Sequence, residues 1–128
     1  MGELIDPDVW DSLVALEASG EPGFLALLLN EFLRTAPLRI RSLRAAEADG
    51  DARTLEWEAH SLKGSSGTLG LSKMVALCEQ LEQAGHAGSC DGLAETLDTL
   101  EAEWGLVREA LHARLPQLAA EPKAGSSD

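Results

Sequence analysis

The chain has 128 residues and a net charge of −12 at pH 7, a size that suits one domain with its own hydrophobic core. This charge argues against nucleic acid and anionic membranes as partners, because both require basic protein surfaces. Leucine and alanine dominate, tyrosine is absent and β-branched residues are few, so the composition favours helices over strands.

We expect neither a membrane span nor a disulfide framework. The sequence contains no apolar run of about 18 residues and no signal-peptide pattern at its first residue. Its two cysteines are too few for a disulfide scaffold. Cys78 lies on an apolar helical stripe and is expected in the core, whereas Cys90 lies in a predicted loop. Reduced thiols fit a cytoplasmic protein.

The first predicted helix begins after Asp6, which is a good N-cap, and Pro7 suits the first helical position. The negative charge of Asp8 favours the same helix end. Residues 19–23, rich in glycine and polar side chains, end the helix. Its expected packing face carries Trp10, Leu13 and Leu16.

The second helix is predicted from near residues 22–24 to the turn at residues 49–51. Pro37 removes one backbone donor and should kink or break it. Because the apolar stripe continues beyond the proline, we predict one long kinked helix. The stripe comprises Phe24, Leu25, Leu28, Phe32, Ala36, Leu38, Leu43 and Ala46. Four arginines of this segment form either a docking patch for an acidic partner or ordinary surface charge: Arg34, Arg39, Arg41 and Arg44.

The third helix, predicted over residues 52–69, has two contrasting faces. Its apolar stripe is formed by Leu55, Ala59, Leu62, Ser66 and Leu69. Its other face carries His60, Lys63, Gly64 and Gly67. Each interior glycine costs a helix about 1 kcal/mol relative to alanine. What the glycines provide is open space beside a histidine and a lysine, which indicates that something large must reach the imidazole ring.

Two further helices complete the pattern. Gly70 is expected to end the third helix and Ser72 to cap the fourth, followed by a loop over residues 85–92 and a last helix that ends at Pro116. The fourth stripe is Met74, Leu77, Cys78 and Leu81, and the fifth is Leu93, Leu97, Leu100, Trp104, Val107 and Leu111. The stripes predict an all-α fold: an antiparallel four-helix bundle with an additional N-terminal helix over one end, in residues 1–118. Residues 119–128 are predicted to be a disordered tail.

The third helix resembles the signature of the histidine phosphotransfer (HPt) family, in which a histidine is followed by Leu-Lys-Gly-Ser and a later Leu-Gly. The matching string is His60-Ser61-Leu62-Lys63-Gly64-Ser65-Ser66-Gly67-Thr68-Leu69-Gly70. The resemblance implies that His60 is the phosphoacceptor, exchanging a phosphoryl group with an aspartate of a receiver domain. A neutral imidazole is a competent nucleophile for this chemistry. Lys63, one turn away, can neutralise phosphoryl oxygens, and Gly64 leaves room for the partner.

The resemblance also implies a phosphorelay carrier without a cofactor or metal of its own. We expect no autokinase activity, because the sequence shows no ATP-binding segment. The metal ion and most catalytic groups would belong to the receiver domain of a response regulator or hybrid kinase. We expect a monomer, and the pattern leaves open whether the chain is free-standing or part of a hybrid kinase. Gly67, Trp57 and Ser61 are expected on the binding face, although Trp57 could equally pack against the second helix.

Glu82 departs from the family pattern, which offers a glutamine to the histidine ring from the fourth helix. Glu82 could orient the His60 imidazole or face water, and Gln80 and Gln83 lie nearby in sequence. The other histidines, His86 and His112, are predicted to be ordinary surface side chains.

Other functions fit less well. The alternative is a helical bundle that binds receiver domains without transferring phosphate. An enzyme using His60 as a general base would need a second catalytic group and a pocket, and the sequence indicates neither. The serine-hydrolase frame G-x-S-x-G fails because Thr68 occupies its last position. The string Gly64-Ser65-Ser66-Gly67 also fits the GXXG motif of KH domains. An acidic chain without predicted strands argues against that interpretation.

Overall fold

The computed structural model describes residues 4–126, without the side chains of residue 117 and residues 119–126. It contains five helices and no strand within those residues. The helices are α1 (Pro7–Ser19), α2 (Phe24–Asp49), α3 (Ala52–Thr68), α4 (Ser72–His86) and α5 (Ala94–Ser126). In the bundle formed by α2–α5, α3 packs against α2 and α4, and α5 packs against the same two helices. The predicted all-α bundle is confirmed.

The N-terminal helix begins as predicted. The Asp6 carboxylate accepts a hydrogen bond from the Asp8 amide at 2.9 Å, and Pro7 is the first helical residue. A cap not expected from the sequence lies at the next helix start. There the Glu17 carboxylate accepts from the amides of Gly23 and Leu25 at 3.1 and 3.0 Å. These are donors that the first turn of a helix otherwise leaves without a partner.

The N-terminal helix packs over the turn that connects α3 and α4. The Asp6 amide donates to the Gly70 carbonyl at 2.8 Å, and Ile5 is buried. Gly70 has φ +74°, and a Cβ there would lie 2.8 Å from the Val9 Cβ. The additional helix therefore covers the end of the bundle that follows the His60 motif.

The core is a single cluster that contains the apolar residues of the predicted third, fourth and fifth stripes. Ser66, the polar member of the third stripe, is also buried. Inside the bundle, Phe32 meets Trp104 edge to face with ring centroids 5.6 Å apart. Three residues placed on packing faces by the sequence pattern are instead exposed: Leu16, Phe24 and Leu38. The buried positions of α2 run at helical steps of three and four, and Phe24 and Leu38 fall beside that row.

Three prolines lie in the interior of helices: Pro37 in α2, and Pro116 and Pro122 in α5. α2 continues through Pro37 as one helix, as predicted. The expected end of the last helix at Pro116 is wrong, because α5 is described through Ser126. Pro116 is exposed, so the carbonyl that loses its amide partner can be satisfied by water. The disordered tail predicted over residues 119–128 stays a prediction: α5 includes the backbone of residues 119–126, and residues 127–128 lie outside the described part of the chain.

The predicted capping role of Ser72 is also wrong. Leu71 is the N-cap residue of α4 and has no capping side chain, whereas Ser72 is already helical and exposed. The chain reverses at Gly70, and the Leu71 amide donates to the Ser66 carbonyl at 2.9 Å. Because this bond and the burial of Leu71 fix the turn, the helix begins one residue earlier than a serine cap would allow.

Three of the four arginines of α2 form ion pairs within the chain. Arg34 pairs with Glu31 at 2.8 Å and Arg39 pairs with Glu58 of α3 at 2.9 Å. Arg44 contacts Asp98 and Glu101 of α5. These pairs favour ordinary helix charge over a docking patch. Across residues 4–126, none of the helices combines the length and apolar character that crossing a bilayer requires.

Candidate functional site

His60 projects from the outer face of α3, and its side chain is 63% exposed. The opposite face of the helix is buried in the core, because Ala59 and Leu62 pack there. A Cβ at Gly64 would have no heavy atom within 4 Å, and one at Gly67 would meet only Val75, at 3.8 Å. The surface on the C-terminal side of the histidine is therefore bare, as the sequence predicts.

Glu82 of α4 contacts the ring of His60. Its Oε2 lies 2.8 Å from Nδ1 of the imidazole, which decides between the two positions considered for Glu82. An ionised carboxylate can only accept a hydrogen bond, so Nδ1 carries the proton. In the neutral ring this leaves the lone pair on Nε2, directed away from Glu82.

Lys63 holds the other oxygen of the same carboxylate. Its Nζ lies 2.7 Å from Oε1 of Glu82 and forms an ion pair with it. The angles of this contact are not those of a hydrogen bond. The lysine, and to a smaller extent His60, lower the pKa of Glu82. The carboxylate in turn raises the pKa of Lys63. At neutral pH the site thus contains an anion and a cation that offset each other beside the imidazole.

Trp57 lies on the same outer face of α3, one turn before His60, and is 64% exposed. Packing against α2 is therefore wrong for this residue. A cleft of about 400 Å³ is lined by Arg53, Glu56, Trp57, His60 and Glu82. Ser61, expected on the binding face, is half-buried and does not line this cleft. Gly67 is exposed on that face.

A second histidine–glutamate pair was not predicted. His86 Nδ1 lies 3.0 Å from Oε2 of Glu56, and both residues line a neighbouring cleft of about 410 Å³ together with Lys63 and Glu82. The available indication was the spacing: each helix carries a glutamate four residues before a histidine. Gln83 contacts Glu79 at 3.5 Å instead of the His60 ring. Within the described residues, no cluster of three or more acidic, histidine or cysteine side chains could hold a metal ion.

The arrangement can bind and release a small anionic group at an exposed imidazole nitrogen. The ring is oriented at Nδ1, its Nε2 faces an open surface, and a lysine stands one turn away. Among the described residues, the cleft beside the ring is lined by three charged side chains and Trp57. Such an exposed ring suits a macromolecular partner that delivers the group.

Comparisons with known proteins agree with this geometry. Residues 27–121 match the family model described as Hpt domain. The chain is 32% identical over 109 residues to multistep phosphorelay regulator 1 of Schizosaccharomyces pombe, a match that covers 85% of this chain and 37% of that protein. The chain thus spans about a third of the length of this curated relative.

Two solved structures are similar over most of the chain. One is histidine-containing phosphotransfer protein B of Pseudomonas aeruginosa, with a TM-score of 0.81 and 28% identity, covering 91% of this chain and 98% of that one. The other is a histidine-containing phosphotransfer protein from maize, with a TM-score of 0.79 and 27% identity, covering 92% and 86%.

Proposed function

Because the chain belongs to the Hpt domain family, we propose that it carries a phosphoryl group on His60 between aspartates of receiver domains. Hpt proteins are phosphocarriers, and this chain takes part in histidine phosphotransfer in phosphorelay signalling. The observation that most supports His60 as the carrier is its contact with Glu82. A 2.8 Å hydrogen bond at Nδ1 leaves the lone pair on Nε2, in a side chain that is 63% exposed.

The transfer step follows from these atoms. The lone pair of Nε2 attacks the phosphorus of a receiver aspartyl phosphate, the N–P bond forms, the P–O bond to the aspartate breaks, and the carboxylate leaves with the electron pair. The ring then carries a positive charge, which the Glu82 carboxylate stabilises through Nδ1–H. Lys63 neutralises part of the charge on the phosphoryl oxygens, although it also pairs with Glu82 at 2.7 Å. The reverse step returns the group to a second aspartate.

The surface around His60 supports approach by a receiver domain. The bare strip at Gly64 and Gly67 lets another protein backbone come close to the ring, since no side chain stands there. Trp57 offers an exposed aromatic contact on the opposite side of the histidine. Ser61 is half-buried and lies at the edge of this proposed face.

The partner performs the remaining chemistry. The receiver supplies the metal ion and most catalytic groups, and the chain uses no cofactor and has no autokinase activity. The partner is the receiver domain of a response regulator or of a hybrid kinase. We also propose that the chain acts as a cytoplasmic monomer.

A transfer assay tests the proposal. The chain is incubated with purified receiver domains that have been phosphorylated on aspartate, and phosphate on the chain is measured by intact mass. A carrier acquires one phosphate that is labile in acid and stable in base, as expected for a phosphohistidine. Stable binding of a phosphorylated receiver without any transfer would instead support the alternative, a bundle that binds receivers only.

A further inference from the structure

The two histidine–glutamate pairs are crossed between neighbouring helices. On α3, Glu56 precedes His60 by four residues, and on α4, Glu82 precedes His86 by four. His60 pairs with Glu82 at 2.8 Å, and His86 pairs with Glu56 at 3.0 Å. Each glutamate is thus held by the histidine of the other helix and not by the histidine on its own.

The charges of the two glutamates are balanced differently. Lys63 neutralises Glu82 at 2.7 Å. Among the described residues, the side chain that pairs with the Glu56 carboxylate is His86. His86 is 82% exposed, so this contact is not enforced by surrounding packing.

Glu56 is also close to the reaction. It lines the cleft that contains His60, and side chains four residues apart on a helix are neighbours. A phosphoryl group on Nε2 would bring negative charge near the Glu56 carboxylate, and like charges at this spacing repel. Lys63 cannot fully neutralise the charges of both the phosphoryl group and Glu56, because it already forms an ion pair with Glu82. The other charged side chains lining the two clefts are Arg53 and Glu79.

The fold places His86 where it can hold Glu56 away from this group. Gly85 lies against the backbone of Ala52 and Glu56, where an added Cβ would meet the Ala52 carbonyl oxygen at 2.7 Å. This end of α4 therefore meets α3 at least one turn before His60. The 3.0 Å bond anchors the Glu56 carboxylate on that side.

We infer that His86 is a positioning residue for phosphoryl transfer, because it binds the Glu56 carboxylate and keeps its charge away from the phosphoryl group on His60. The inference rests on the proposed function. His86 thus has a role beyond that of the ordinary surface side chain that the sequence predicts. Loss of His86 frees an acidic side chain beside the acceptor nitrogen, and loss of Glu56 removes the need for His86.

The test measures how fast His60 is loaded by phosphoramidate, a small anionic phosphoryl donor. Initial rates are compared for the wild type, His86→Ala, Glu56→Gln and the double variant at low ionic strength, with the phosphate mapped to His60 by peptide mass spectrometry. We expect His86→Ala to load about two- to five-fold more slowly, the effect of one nearby unit charge at partial screening. Glu56→Gln and the double variant should load equally, and at least as fast as the wild type. The defect of His86→Ala should shrink at high salt.

Matched controls separate this role from a structural one. His112→Ala, on the exposed surface of α5, should load at the wild-type rate, and circular dichroism checks that each variant is folded. Loading of His86→Ala at the wild-type rate would overturn the inference and leave the proposed function intact. So would a double variant as slow as His86→Ala, because His86 would then act through packing. If wild-type His60 takes no phosphate, the proposed function fails and the inference fails with it.

Discussion

His60 and Glu82 meet because the residues beside them are buried. Leu62 and Leu81 are buried in the core, which leaves His60 and Glu82 at the edge where α3 and α4 join. A carboxylate at this position determines the ring tautomer, because it can only accept. Its charge is offset by Lys63. In the function that we propose, the pair would therefore orient the imidazole without adding uncompensated negative charge against an incoming phosphoryl group.

Substitution of Gly64 tests whether the bare face of α3 is needed for phosphoryl transfer. Gly64→Gln should raise helix propensity by a few tenths of a kcal/mol or more, since a Cβ there meets nothing within 4 Å. Transfer from a receiver should nevertheless collapse, because a long side chain would stand between the imidazole and its partner. Transfer rate and thermal stability are measured together.

The control is Gly105→Gln on α5, where a Cβ also has open space. It should stabilise the helix similarly and leave transfer unchanged. Wild-type transfer by Gly64→Gln would show that the glycine is not required for access.

Gly85 lies where the backbones of α3 and α4 are in close contact. A Cβ at this position would lie 2.7 Å from both the carbonyl oxygen of Ala52 and the amide nitrogen of Glu56. Backbone atoms cannot move aside as a flexible side chain can. The glycine therefore allows the two helices to approach closely enough for both histidine–glutamate pairs to form.

Gly85→Ala should reduce the free energy of unfolding by about 1–3 kcal/mol, the usual cost of overpacking, despite the better helix propensity of alanine. Urea unfolding measures this. Gly64→Ala is the matched control and should stabilise by up to about 1 kcal/mol, because its Cβ has open space. Equal gains in stability from both substitutions would contradict the close packing of α3 on α4.

The Glu82 pair should make stability depend on pH. Its partners, first Lys63 and then His60, lower the pKa of Glu82 in the folded chain. Such a group stabilises the fold above its unfolded pKa of about 4.3, and the contribution is lost as pH falls through the folded pKa. The difference in melting temperature between wild type and Glu82→Gln should thus be present at pH 7 and narrow below about pH 4. A difference that stays constant down to pH 3 would rule out the ion pair as its cause.

The helices themselves were predictable because their apolar residues repeat at helical steps, and burial of those stripes determines which faces point outward. The periodicity therefore predicts that His60 and Gly64 lie on the surface. It does not predict the residue at which a helix begins or ends. Pro116 is exposed, so water can replace the lost backbone bond, and Ser72 is displaced from its capping role by the turn at Gly70. Neither effect is visible in the local sequence.

Across the whole molecule, contacts between distant segments were the least predictable. The Asp6 amide donates to the Gly70 carbonyl, and Arg114 of α5 lies 4.6 Å above the Trp10 ring. The start of α1 is thus joined to the turn between α3 and α4, and α1 itself to α5. The crossed pair of His86 and Glu56 depends in the same way on how α3 and α4 pack. Periodicity identifies each helix face, whereas such pairings require the relative position of two helices.

The most direct test of the account is phosphorylation of His60→Gln by a receiver domain that phosphorylates the wild-type chain. Because His60 is exposed and its helix is held by buried leucines on the other face, the variant should keep its helical circular-dichroism signal and nearly its full melting temperature. We predict one acid-labile phosphate on the wild type and none on His60→Gln, measured by intact mass. A phosphate that persists on the folded variant would contradict the assignment of His60 as the carrier.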